Sequence, residues 1–296
     1  MKIAVIGANG QLGSDVVRAF RDNGDDVCSL LHTDVEVANI ESVSKALRTS
    51  EPQVLVNTSA MHHVERCEQD PVYAFAVNSQ GPRNLARVSR DLDAVLIHIS
   101  TDYVFDGKKN GPYVEDDLPL PLNVYGNTKL AGEYFVRSLN HRHIVLRTSA
   151  LYGNSPCRGK GGLNFVELML KLAHERGKVR VVDDEVVTPT ATADLAKQIV
   201  ALSRCDDYGL YHATAEGSCS WYEFAKEIFA ATRTNVQLDI AGAAEFPAKV
   251  PRPMYSVLEN RALKSKGMNL FKTWREGLRD YLASKREAEP VSDIQG

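Results

Sequence analysis

The chain lacks most of the features that would mark a specialised protein class. Its five cysteines, Cys28, Cys67, Cys157, Cys205 and Cys219, are odd in number and never stand as CxxC. That argues against a disulfide framework or a zinc knuckle and for a reducing compartment. There is no basic excess either: the formal net charge is −3 and the pI is near 6.3, so neither nucleic acid nor an anionic membrane is expected as a partner. No apolar run approaches the ~20 residues of a bilayer span. The apolar start at 3–6 runs straight into a glycine turn instead of a cleavage site, so no targeting segment is expected, and the expected location is cytoplasmic. Internal repeats, low-complexity tracts and ligand clusters that require a metal are also missing.

What is present has the proportions of a globular enzyme. At 296 residues, 44% hydrophobic and 25% charged, the chain can bury a full core and fits one large α/β domain, or such a core with a smaller lobe. Short β-branched runs at 3–6, 27–31, 54–57, 95–100 and 144–147 read as strands buried on both faces. Between them, residues 11–23, 42–49, 71–91 and 123–138 carry helical period. The alternation predicts an α/β fold with a doubly wound parallel sheet of Rossmann type. After residue 149 the pattern loosens, and a helix at 164–175 and a strand at 179–182 suggest a smaller C-terminal substrate-binding lobe. Helical period at 191–203 and an apolar run at 210–213 suggest a return to the sheet. The expected division is a dinucleotide-binding domain at 1–150, rejoined around 187–214, a lobe at 151–186 and 215–285, and a frayed tail at 286–296.

Gly7-Ala8-Asn9-Gly10-Gln11-Leu12-Gly13 follows the first strand and opens the first helix. A pyrophosphate site needs glycines here for a tight turn, for close approach of backbone to phosphate, and for packing of helix on strand. The helix N-terminus then offers unpaired N–H groups to the anion. A glycine trio alone is weak, but its place at the first βα junction gives it meaning. The second strand ends Leu30-Leu31-His32-Thr33-Asp34, so the carboxylate that would grip a ribose 2′-hydroxyl is missing at Leu31. Asp34 or Glu36 could substitute; the balance tips slightly to NADPH over NADH.

Tyr125 and Lys129 stand at i and i+4, on one face of the predicted helix at 123–138. A free phenol titrates near pH ~10, and a neighbouring ammonium would lower that value and ease proton donation to a carbonyl oxygen. The spacing itself says little, because Tyr222 and Lys226 repeat it. With 11 tyrosines and lysine at roughly 6% of residues in ordinary proteins, about one chance match is expected. Context separates the two pairs. Tyr125 lies downstream of a strand ending Ser100-Thr101-Asp102, at least one of whose hydroxyls is expected to face the crevice at the carboxyl end of the sheet. Tyr222 follows Ser218 to Ser220, a helix N-cap region, and reads as a packing residue.

The assembled residues resemble the extended short-chain dehydrogenase/reductases, and more closely the dTDP-4-dehydrorhamnose reductases. The resemblance runs through residues 7–13, Ile-Ser-Thr-Asp-Tyr-Val-Phe-Asp-Gly at 99–107, Pro-Leu-Asn-Val-Tyr-Gly-Asn-Thr-Lys-Leu-Ala-Gly-Glu at 121–133, and the segments 146–149, 188–190, 209–212, 220–225 and 252–253. It implies an NAD(P)H-dependent oxidoreductase acting on a dTDP-sugar, reducing dTDP-4-dehydro-β-L-rhamnose at C4 to dTDP-L-rhamnose for surface polysaccharides. By that resemblance Thr101 and Tyr125 would bind the keto oxygen, Tyr125 would protonate it, and Lys129 would hold the nicotinamide ribose. The cofactor would also meet Gly7, Gly10, Gln11, Leu12 and Gly13, then Glu36 and Val37 near adenine, and Ala60, Met61 and His62 after the third strand. Asp102, Ala150, Asn164 and Arg252 would stand on the substrate side, Arg252 toward the nucleotide diphosphate. The sequence admits a homodimer.

Three departures bear on the substrate. Ala150 stands where the family commonly has a tryptophan, the stretch 155–162 is longer than the family loop and carries Arg158 and Lys160, and His62-His63 replaces a His followed by Thr and Ala. They leave room for another 6-deoxysugar. They also leave room for two alternative readings: a nucleotide-sugar epimerase or dehydratase, for which Thr101-Asp102 offers a single acid, and a non-catalytic NADP-binding regulatory subunit, such as the β subunit of methionine adenosyltransferase in the same family.

Overall fold

The structure is a computed structural model that describes residues 1–157, 161–242 and 249–288. Its first half runs β1 (Lys2–Ile6), α1 (Gln11–Asp22), β2 (Asp26–Leu30), α2 (Ile40–Ser50), β3 (Val54–Asn57), α3 (Val64–Gln69), α4 (Pro71–Phe75), a π-helical turn (Ala76–Gln80), α5 (Gly81–Asp91), β4 (Val95–Thr101), a 3-10 turn (Asp102–Val104), α6 (Val124–Leu139) and β5 (His143–Thr148). The second half continues with β6 (Leu151–Tyr152), α7 (Phe165–Arg176), β7 (Lys178–Val182), β8 (Val186–Val187), β9 (Thr190–Ala191), α8 (Thr192–Leu202), β10 (Gly209–His212), β11 (Cys219–Ser220), α9 (Trp221–Thr232), β12 (Gln237–Ala241), α10 (Arg261–Ser265) and α11 (Trp274–Ala288).

Six strands make one sheet in the order β2-β1-β3-β4-β5-β10, and every pairing is parallel. The continuous apolar strands show why: Ile3 and Val5 of β1 pack into a core with Val16 and Phe20 of α1 and Leu195 and Ile199 of α8. Ala4 and Ile6 pack the opposite way, with Val43 and Leu47 of α2, Leu85 of α5 and Val136 of α6. Helices therefore cover both faces, and alternate residues of each strand serve opposite cores. The strand order reverses between β1 and β3, which opens a crevice at the carboxyl ends of the strands.

β10 extends the sheet from β5, and α8 packs against α1. A separate core gathers α7, α9 and α11 around Phe224, Ile228, Trp274 and Leu278. There β7 pairs with β12, a short alternating run that was not among the expected strands. The single helix expected at 71–91 is instead α4, a π-helical turn and α5 in succession. Residues 286–288 continue α11, where a frayed tail was expected. The rest of that expected tail lies outside the described residues, as do Arg158 and Lys160. No helix among the described residues is long and apolar enough to cross a membrane.

Candidate active site

The chain leaves β1 through Gly7, whose φ of +76° suits a residue without a side chain. Gly10 donates its backbone N–H to Gly7 O at 2.9 Å, and α1 begins at once, with no side chain capping its first N–H groups. Gly13 lies back against this turn: a Cβ there would stand 2.1 Å from Gly7 O. The helix end thus stays open to a cavity of about 890 Å³, lined here by Gly7, Gly10, Gln11, Leu12 and Gly13. Gln11 Nε2 is buried with no hydrogen-bond partner among the described residues. Open helix N–H groups and an unmet amide donor fit a dinucleotide pyrophosphate.

Past β2 the cavity is lined by His32, Val35, Glu36 and Val37. Asp34 turns away: its carboxylate accepts from Leu31 N at 2.8 Å. Glu36 does face the cavity, with His32 Nε2 at 3.8 Å from its carboxylate. His32, at the end of the second strand, also lines the cavity and was not among the expected site residues.

Ala60, Met61 and His62 follow β3 along the same wall. Asn78, inside the π-helical turn, holds Met61 at both backbone atoms, accepting from its N and donating to its O at 2.9 Å each. The same amide reaches Thr128 Oγ1 at 3.1 Å, which ties this wall to α6. Such a turn within a helix often marks a functional site, here by aiming one side chain. His62 Nε2 lies 3.7 Å from Cys157 Sγ across the cavity.

Thr101 ends β4, and Tyr125 stands in the first turn of α6, started by Asn123, whose side chain accepts from Gly126 N. Thr101, Tyr125 and Lys129 all line the cavity. The Thr101 hydroxyl donates to Asp102 Oδ1 at 3.0 Å, while Asp102 Oδ2 accepts from Ser149 at 2.8 Å and Ser256 at 2.6 Å. Asp102 is thus a buried hub that joins three chain segments, and burial raises its carboxyl above the ordinary range against the pull of these hydroxyls. Its oxygens already serve the protein.

Lys129 is 2% exposed and donates to Ile99 O at 2.6 Å. Burial lowers its ammonium to about 8, with Glu133 and Cys67 pulling the other way. The Tyr125 phenol moves opposite to the sequence expectation: burial raises it, and the hydrogen bond with Thr101 only partly offsets that. Desolvation of an enclosed phenolate dominates, and the neighbouring Asp102 carboxylate pushes the same way. A phenol that stays neutral at working pH is a loaded proton donor, and the alkoxide forming on a reduced ketone is basic enough to take its proton.

On the lobe side the cavity meets Ala150, Asn164, Phe165, Glu185, Trp221 and Phe224. Ala150 holds a φ of +45°, an uncommon value for a residue with a side chain and a sign of local constraint beside the site. The Asn164 side chain caps α7 through Glu167 N and donates to Gly153 O and Tyr281 Oη, so it fastens the lobe. Phe165 and Trp221 pack at 4.5 Å between ring centroids, and Trp221 Nε1 donates to Glu185 at 3.3 Å. The sequence reading missed Phe165, Glu185 and Trp221 as site residues. Arg252 lies outside the cavity lining and pairs with Glu65 of α3. Tyr222 packs against the lobe core and Lys226 is exposed, so the second tyrosine and lysine pair stands apart from the cavity. Among the described residues no group of three or more His, Cys, Asp or Glu side chains is placed to hold a metal.

The family model described as RmlD substrate binding domain matches residues 1–287. The spore coat polysaccharide biosynthesis protein SpsK of Bacillus subtilis is 38% identical over 287 residues, covering 97% of this chain and 99% of that protein. A dTDP-4-dehydrorhamnose reductase of Escherichia coli is 33% identical over 296 residues, covering 95% of this chain and 97% of that one. Among solved structures, a dTDP-4-dehydrorhamnose reductase of Bacillus anthracis in complex with NADP superposes with a TM-score of 0.91 at 35% identity, covering 96% of this chain and 100% of that one.

Proposed function

Since the chain belongs to the dTDP-4-dehydrorhamnose reductase family, an NAD(P)H-dependent oxidoreductase family of Rossmann fold, we propose that it reduces the C4 ketone of a dTDP-4-dehydro-6-deoxysugar, most simply dTDP-4-dehydro-β-L-rhamnose to dTDP-L-rhamnose, in the cytoplasm. One observation carries the reading: Thr101, Tyr125 and Lys129 line the same cavity as the glycine turn. In this reading residues 1–150 and 187–214 hold the cofactor, and residues 151–186 and 215–285 receive the sugar nucleotide.

When bound, a reduced nicotinamide supplies the hydride. Gly7, Gly10, Gln11, Leu12 and Gly13 would hold its pyrophosphate, Glu36 and Val37 the adenosine end, and Ala60, Met61 and His62 the wall toward the ring. Tyr125 donates its phenolic proton to the carbonyl oxygen as negative charge develops there. Thr101 holds the phenol and is itself held by Asp102. Lys129 keeps a positive charge beneath the pair and balances the phenolate left after transfer. Phe165 and Trp221 form the apolar wall where Ala150 leaves space, while Glu185 presents a carboxylate to a substrate hydroxyl. Arg252 would reach a diphosphate from the rim by exchanging Glu65 for it.

Purified protein, NADPH and dTDP-4-dehydrorhamnose should oxidise the nicotinamide, read by its absorbance. Tight cofactor binding without turnover of that ketone or of related dTDP-4-ketosugars would favour a non-catalytic regulatory subunit instead. Turnover should also fall as pH rises through about 8, because Lys129 is charged below that value and neutral above it. A kcat/KM profile level to well above pH 8 would dismiss that role. For cofactor choice, His32→Asp should lower the NADPH to NADH preference about tenfold by setting a second carboxylate against a 2′-phosphate. An unchanged ratio of the two kcat/KM values would place the 2′-substituent elsewhere.

A further inference from the structure

Glu133 sits one helical turn beyond Lys129 on α6 and is fully buried. A carboxylate in such a place is costly unless its oxygens are met. Here they are met from two strands. Ser100 donates its hydroxyl to Oε1 at 2.5 Å, and Arg147 donates Nε to Oε1 at 2.9 Å and Nη2 to Oε2 at 2.7 Å. Ser100 immediately precedes Thr101 on β4, and Arg147 lies on β5, itself 1% exposed with its guanidinium over the Phe105 ring at 5.1 Å. One carboxylate therefore joins the strand that carries Thr101 to the helix that carries Tyr125 and Lys129. Well-packed apolar side chains could fill the same space at equal or greater stability, so the buried pair calls for another use.

Resting on the reductase reading for its activity readout, we infer that Glu133 is a positioning residue of the catalytic site: its carboxylate locks α6 against the end of β4 and supplies the negative charge that keeps the Lys129 ammonium in a dry pocket. Among the groups facing Lys129, Glu133 is left as the source of that charge, which its partner Arg147 offsets in part. The Cys67 thiol, from α3, is pushed up to about 11 by burial and stays neutral. The His98 imidazole, from β4, is held far below its ordinary value by burial and by Lys129 itself, and is neutral as well. Tyr125, on the same helix, keeps its proton. Ile99 O gives Lys129 a hydrogen bond but no charge.

The test uses the full chain in three variants, with Lys129→Arg as a fourth for signal assignment. Glu133→Gln leaves the Arg147 guanidinium buried and unmatched, so the double variant Glu133→Gln/Arg147→Met removes both charges together and keeps the volume filled. Ser100→Ala removes one hydrogen bond and no charge. Two quantities are read: the pH profile of kcat/KM with the ketosugar, and the titration of Lys129 by NMR in protein carrying carbon-13 at lysine Cε, its signal assigned by its loss in Lys129→Arg. The double variant should fold and lower the alkaline limb and the Lys129 titration together by roughly half a pH unit, less than Glu133→Gln alone, because it also removes the opposing charge of Arg147. Ser100→Ala should lower kcat severalfold and leave the titration near its original place. A double variant whose Lys129 titrates as in the parent protein would overturn the inference and reduce Glu133 to a structural tie. Failure of the parent protein to turn over any ketosugar would instead defeat the reductase reading, and the NMR titration would still judge Glu133.

Discussion

Tyr125→Phe should lower kcat by about 10²- to 10⁴-fold, the range removed with a positioned general acid, while cofactor affinity stays near that of the parent. The loss is confined to turnover because the phenol ring remains: the edge contact with Tyr103, 5.7 Å between centroids, needs no hydroxyl. Tyr222→Phe is the matched control, since it carries the same spacing to a lysine but packs on the lobe core away from the cavity. It should leave turnover unchanged. Steady-state kinetics on both variants decide the matter, and equal losses would show that the cavity-lining tyrosine had been misassigned.

The second large effect is expected at Gly13→Ala. A Cβ would stand 2.1 Å from Gly7 O and 2.8 Å from Gly7 C, both backbone atoms, so either α1 or the turn must move. Relief by a rotamer change is closed to alanine. A shift of that order at the pyrophosphate site should weaken NADPH binding by about a hundredfold, on the scale at which small misplacements act in active sites. The measurement is a cofactor titration by fluorescence, beside a thermal melt to show that the variant is folded. Unaltered cofactor affinity would remove the phosphate role from this turn. Gly10 is the milder case, because a Cβ there meets Gly7 O at 3.2 Å.

The readable parts of the chain were those whose physics is local. Strands buried on both faces announce themselves as apolar β-branched runs, and β3 ran from Val54 to Asn57 as read. Helix α6 was marked by its helical period from residue 123, where Asn123 proves to be the cap, and the glycine turn by its place after β1. β12 was overlooked although Val236 to Ile240 alternates apolar and polar; a run that short becomes a strand through its pairing with β7. The π-helical turn was not legible either: its residues have helical period, and what changes there is the aim of Asn78 toward Met61 and Thr128.

The tyrosine and lysine show where the division falls. Residue types, their helical spacing and the strand before them follow from the chain itself, because each depends on neighbours within a few residues. Their protonation does not. Ammonium beside phenol suggests a lowered phenol, yet enclosure by α3, β4 and the 3-10 turn raises Tyr125 and lowers Lys129. Likewise Arg252, well suited by type to a diphosphate, meets Glu65 from 187 positions away. Desolvation and ion pairing depend on which distant segments share a volume, and only the folded chain brings those segments together.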